Sequence, residues 1–156
     1  MTREIIAALM LSLVPLFGLL AFYSTRRRRL EQEKIISKPE MATSEDGVDC
    51  IYVATVFEER PLEKIWAWGL GSRGEANVSY SKAQVSISRR GEASLSFTLK
   101  RVSLARATID KGVESAGLVS LHWENNGFEL ITQIRFRSAA RQKDFLGLIN
   151  YEDRVK

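Results

Sequence analysis

The sequence is poor in the residues on which most enzyme and metal chemistry depends. Its 156 positions hold one cysteine, one histidine and three prolines. Cys50 alone closes no internal disulfide and builds no thiolate metal centre, so it is expected to be a buried strand residue. His122 stands between Leu121 and Trp123 with no second histidine and no cysteine partner, so a triad or metal site lacks its parts. Strand alternation points His122 away from the core, as a surface residue. Acidic residues such as Glu58, Glu59 and Asp110 occur in any domain and define no acid–base pair. No enzyme activity, cofactor, metal or small-molecule substrate is expected.

Net charge is scarce as well, once its location is considered. The formal charge is +4, from 23 basic and 19 acidic residues. Arg3 and the run Arg26, Arg27, Arg28, Arg29 take five of the basic residues, and Glu4 takes one of the acidic ones. From Leu30 onward the chain therefore carries 18 of each and is neutral. A neutral domain has no general attraction for a polyanion, so no nucleic-acid partner is expected. The excess belongs to four consecutive arginines.

What precedes them is an apolar run. No charged residue occurs from Ile5 to Thr25, and Ile5 to Tyr23 is apolar apart from Ser12. As a helix this stretch is about 30 Å long, the thickness of a bilayer hydrocarbon core. Pro15 and Gly18 weaken a soluble helix, but in lipid no competing structure satisfies the backbone. A cleaved signal peptide would place basic residues before the apolar stretch and a small-residue cleavage site after it; here the arginines follow. No cysteine stands directly after the run, which excludes a bacterial lipoprotein. Flanking arginines stay on the cytoplasmic side, so a single-pass protein is expected, N-terminus outside and C-terminal domain in the cytoplasm. The expected organisation is 1–29 transmembrane helix with its arginine flank, 30–49 linker and 50–156 folded domain.

Seven stretches of the domain have strand character: Ile51 to Phe57, Glu75 to Tyr80, Ala83 to Ser88, Ser94 to Leu99, Val102 to Ile109, Leu118 to Glu124 and Phe128 to Arg137. Leu62 to Trp68 is predicted as a short helix, and Gly69, Gly71 and Gly74 loosen the connection after it. Asn125-Asn126-Gly127 is a strong hairpin turn because Asn and Gly tolerate positive φ. Ala139 to Tyr151 changes period, with Phe145, Leu148 and Ile149 on one face of a helix N-capped by Ser138.

Seven antiparallel strands closed by one C-terminal amphipathic helix make a mainly β fold of the pleckstrin-homology (PH) type, a small barrel or sandwich with its open end covered. The segments Tyr52-Val53-Ala54-Thr55, Pro61-Leu62-Glu63-Lys64-Ile65, Gly69-Leu70-Gly71, Arg73-Gly74, Arg89-Arg90-Gly91-Glu92 and Ile109-Asp110-Lys111-Gly112 carry a closer likeness. Through them the chain resembles actinobacterial membrane proteins with an N-terminal helix and a PH-like domain. The resemblance implies this fold and a membrane anchor, and no established activity.

Two surfaces are candidates for binding. Trp66 and Trp68, two residues apart, point in different directions, so one can be buried and the other left to anchor a partner. Arg89, Arg90, Lys100 and Arg101 could converge at one end of two neighbouring strands and meet an anionic lipid headgroup. The leading expectation is a membrane-tethered, non-enzymatic interaction module, an accessory subunit that binds another membrane protein. The alternatives are a reader of anionic lipid headgroups and a component of a transport or export system; a single helix lines no pathway without oligomerising, which disfavours the last.

Overall fold

Period-two alternation produces seven strands, and a computed structural model places them in one antiparallel sheet. The described residues are 2–39, 47–92, 94–105 and 117–154, with side chains covered from 13 to 150 apart from residue 105. The elements are α1 (Thr2–Ile35), β1 (Val48–Phe57), β2 (Gly74–Ser81), β3 (Gln84–Arg89), β4 (Leu95–Thr98), β5 (Arg101–Ala105), β6 (Leu118–Asn125), β7 (Phe128–Phe136) and α2 (Ala139–Arg154). Residues 106–109, the end of the expected fifth strand, lie outside the described residues.

The sheet order is β4-β3-β2-β1-β7-β6-β5, so β1 is central and pairs with both β2 and β7. The sheet curls until its flanks meet: Phe97 of β4 stacks on Trp123 of β6, with ring centroids 4.5 Å apart. Val78, Ile87, Leu95, Leu121, Leu130 and Ile134 fill the space inside. A bulge at Val53 shifts the β1–β7 register between Tyr52 and Ala54. The bulge turns Thr55 inward opposite Thr132. Two-residue turns close the hairpins at Lys82-Ala83 and Asn126-Gly127, all four residues at positive φ, the twist that antiparallel strands need.

At α2, Ser138 Oγ accepts a hydrogen bond from Arg141 N–H at 3.3 Å, as an N-cap does. The buried stripe differs from the expected one. Phe145 and Ile149 are buried, Phe145 5.3 Å from the ring of Phe136, but Leu148 is 48% exposed. Residues four apart share a helix face, and Leu148 lies about 100° round from Ile149. The segment Leu62 to Trp68 is also not the short helix expected. It is extended at Lys64, which bridges to Val56, and only Ala67–Gly69 makes a 3-10 turn.

The long first helix ends on the barrel. Within 30–49, read from the sequence as linker, Gln32 is 6% exposed and Ile36 is fully buried. Among the described residues no helix is long and apolar enough to cross a membrane; the described side chains begin at Leu13, inside the apolar run. From Val14 to Tyr23 the large apolar side chains of α1 are exposed.

Candidate functional site

The most elaborate local structure lies where α1 meets the β1–β2 connection. Positions 22, 25, 26, 29 and 32 follow a helical repeat of three and four and so form one face of α1, which Ile36, just past its end, continues. Gln32, on that face, uses its side-chain amide like a short β-strand: Trp66 N–H donates to Gln32 Oε1 at 2.7 Å, and Gln32 Nε2 donates to the Lys64 carbonyl at 3.2 Å. The helix C-terminus leaves carbonyls without intrahelical partners, and the barrel supplies donors for them. Asn126 Nδ2 donates to the Ile35 carbonyl at 2.8 Å, and Trp68 Nε1 to the Ile36 carbonyl at 3.0 Å. The hairpin asparagines expected to serve only as a turn are thus helix caps.

The connection itself is packed, not loose. Ile65, Ala67 and Leu70 are buried. Thr55 N–H donates to the Leu70 carbonyl at 2.8 Å and Ile65 N–H to the Thr55 carbonyl at 2.9 Å, so the connection takes the place of a strand beside the end of β1. Trp68 adopts a left-handed backbone (φ 55°) followed by Gly69 (φ 70°). A Cβ on Gly71 would stand 2.8 Å from the Trp66 ring, so the glycine makes room for the indole.

Of the two tryptophans, Trp66 is 43% exposed and Trp68 is half-buried with its indole N–H engaged. The four basic residues of the second surface do not converge. Arg89 and Arg90 lie beside the start of β4, while Leu99 N–H bonds Ala83 at the opposite end of the β3–β4 pair, leaving Lys100 and Arg101 there. Arg89 is buried; its guanidinium lies 4.7 Å from the Tyr52 ring centroid, and its Nη1 donates to the Gly69 carbonyl at 2.7 Å. Lys100 is held by Glu124 (2.5 Å) and Glu129 (3.2 Å), whose hydrogen bonds raise its pKa, and Arg101 by Glu58.

His122 is not the surface residue that alternation implied: it is 6% exposed. Ser103 Oγ lies 2.9 Å from its Nε2 and Glu58 Oε2 3.4 Å from its Nδ1. Burial pushes the Glu58 carboxyl up, but the hydrogen bond with His122 and the charge of Arg101 outweigh it and hold the group below its usual value. The line of Ser103, His122 and Glu58 joins β5, β6 and the end of β1 on the outer face of the sheet. Among the described residues no group of three His, Cys, Asp or Glu could hold a metal ion.

A groove of about 660 Å³ runs between α1 and the barrel. Phe22, Thr25, Arg26 and Arg29 form its helix wall; Trp66, Trp68, Arg89, Glu92 and Leu95 are on the barrel side, with Lys38 also lining it. A second groove, beyond Trp66, is lined by Arg28, Arg60 and the fully exposed Leu62. The arginines expected to report topology thus divide, Arg26 and Arg29 facing one groove and Arg28 the other, while Arg27 and Arg29 also pair with Glu31 and Glu33.

No curated protein and no solved structure matches the chain. Residues 33–150 match the bacterial PH domain-like family, a span that begins just after Gln32 and ends within α2. The sheet order, the curl that brings β4 onto β6 and the closing C-terminal helix agree with that assignment, and the chain belongs to the bacterial PH domain-like family.

Proposed function

We propose that the protein is a membrane-anchored, non-enzymatic interaction module whose helix holds a PH-like barrel at a fixed attitude for another membrane protein. PH-like domains are protein- or lipid-interaction modules. The observation that carries the finer reading is the grip on the end of α1: Gln32, Ile35, Ile36 and Ser37 are each hydrogen-bonded to the barrel. A module that needed only proximity could hang on a flexible tether, which raises effective concentration without fixing direction. Buried amide pairing between helix and barrel suits a target of fixed height and orientation, as a neighbouring membrane complex has.

The apolar run Ile5 to Tyr23 and the arginines after it support insertion with the barrel on the cytoplasmic side. The test is crosslinking in native membranes followed by gentle-detergent purification. A discrete crosslinked complex with one membrane protein is expected, and it should vanish when Gln32→Ala and Asn125→Ala are combined. A lone monomer under both conditions refutes the proposal. Protease added to intact cells should leave the barrel whole; trimming would reverse the orientation.

A further inference from the structure

The lining of the groove between α1 and the barrel is graded. At one end are Phe22 and Thr25, the close of the uncharged run; next come Arg26 and Arg29; Lys38 also contributes, and Trp66 forms the ridge between this groove and the next. Phe22 to Arg29 covers about 10 Å of helix. The headgroup layer on each side of a bilayer is about 5–8 Å thick, so a helix entering lipid at Phe22 carries this groove through the headgroups. Arg26, Arg29 and Lys38 face the groove, where Glu92 is the one lining carboxylate; Arg29 also pairs with Glu33, and Arg89 is buried against Tyr52. The groove is therefore apolar below and cationic above, and a half-exposed indole is the side chain best suited to the interface between the two.

We propose that this groove takes the headgroup of one anionic phospholipid from the adjoining leaflet, with its phosphate at Arg26 and Arg29 and its upper acyl chain along Phe22. The helix supplies one wall, including both arginines, so the barrel alone has no complete site. The proposal rests on the reading that α1 enters the bilayer, and the experiment separates the two.

The full chain is reconstituted into vesicles of phosphatidylcholine alone or with phosphatidylglycerol. Resistance to alkaline extraction first reports insertion; a chain washed off refutes the membrane reading and with it the lipid site. For inserted chain, Trp66 emission, assigned by difference from Trp66→Phe, is quenched by brominated phosphatidylglycerol and by brominated phosphatidylcholine at equal content. Preferential quenching by the anionic lipid is expected, falling about fivefold for each of Arg26→Gln and Arg29→Gln. Arg27→Gln with Arg28→Gln removes the same charge as Arg26→Gln with Arg29→Gln, but away from the groove, and should leave the preference in place. Equal quenching by both lipids, equal loss in both double variants, or displacement by inorganic phosphate overturns the proposal. So does a photocrosslinker at Phe22 that captures a polypeptide in native membranes in place of lipid.

Discussion

Ser37 and Asn125 exchange two hydrogen bonds across 88 positions of sequence: Ser37 N–H to Asn125 Oδ1 at 2.8 Å, and Asn125 Nδ2 to the Ser37 carbonyl at 3.1 Å. With the similar two-point pairing of Gln32 against Lys64 and Trp66, this places one primary amide on each side of the helix end. Neither contact depends on apolar burial alone. Each fixes direction, because an amide satisfies both groups only in one orientation.

Gln32→Ala strands the Trp66 N–H and the Lys64 carbonyl, and burial of unpaired groups costs about 1–3 kcal/mol. Asn125→Ala acts at the more exposed contact and should cost about 1 kcal/mol or less. Hydrogen exchange is the measurement that separates the two: Gln32→Ala should accelerate the Trp66 amide, and Asn125→Ala the Ser37 amide, while the amides of β2 and β3 keep their protection. Uniform acceleration across the barrel would show that the contacts serve global stability and not the attachment of the helix.

A second polar structure crosses the core. Trp123 Nε1 donates to Thr132 Oγ1 at 2.9 Å, and Tyr52 Oη donates to the Leu70 carbonyl at 2.7 Å, so Thr55 donates to Tyr52 Oη at 2.6 Å and Thr132 to Thr55 at 2.8 Å. Thr132→Val keeps the shape and removes the acceptor for the indole, so a loss of about 1–3 kcal/mol is expected. Denaturant unfolding should show a lower midpoint with unchanged slope, since the exposed surface on unfolding is the same. An unchanged midpoint would mean that the chain of hydroxyls is incidental.

How much of this was legible before folding follows from what each feature depends on. The seven strands and the Asn126-Gly127 turn were, because alternation and positive-φ residues act locally. The Arg89 position carried a usable signal: it continues the parity of Val85 and Ile87, both buried, which places its side chain inside with Tyr52 and not on a lipid-facing surface. Thr132 likewise shares parity with Leu130 and Ile134. Gln32 carried none. A glutamine in a charged stretch of helix looks solvated, and its partners are 32 and 34 positions away. His122 followed parity outward correctly, but Glu58, Ser103 and Arg101 cover it, and a neighbour's side chain is invisible to a strand pattern.

Alkali should destabilise the barrel progressively from about pH 9, more steeply above about pH 10. Burial pushes the Cys50 thiol up from 9.0 to about 12, and Asp49 adds to the shift. Burial also pushes the Tyr52 phenol up from 10.0 to about 12 against the opposing hydrogen bond from Thr55. Both groups are raised in the folded state, so their contribution is complete below the unfolded pKa. It is lost as pH climbs from about 9 for the thiol and about 10 for the phenol, until both folded values near 12 are passed. Each titrating group steepens the loss by at most about 1.4 kcal/mol per pH unit. Unfolding midpoints measured from pH 8 to 12 should fall from about 9 in the natural chain and only from about 10 in Cys50→Ala. The thiol should also resist alkylation at pH 8 until denaturant is added. A thiol that reacts at the rate of a free one would place Cys50 outside the core.

Gly71→Ala tests whether Trp66 is held in place by the connection. The added methyl would stand 2.8 Å from the indole and 3.0 Å from the Ile65 carbonyl. The carbonyl belongs to backbone fixed against the end of β1, so the indole must move. Overpacking of this kind costs about 1–3 kcal/mol. Trp66 is the ridge between the two grooves, so its displacement should change the intrinsic fluorescence and, in vesicles, the quenching by lipid. Replacing Trp66 with leucine relieves the clash. The double variant Gly71→Ala, Trp66→Leu should therefore be less destabilised than the sum of the two single changes, the sign of direct contact. Strict additivity would mean that Gly71 is constrained by the Ile65 backbone alone, and that the indole is free to leave the ridge.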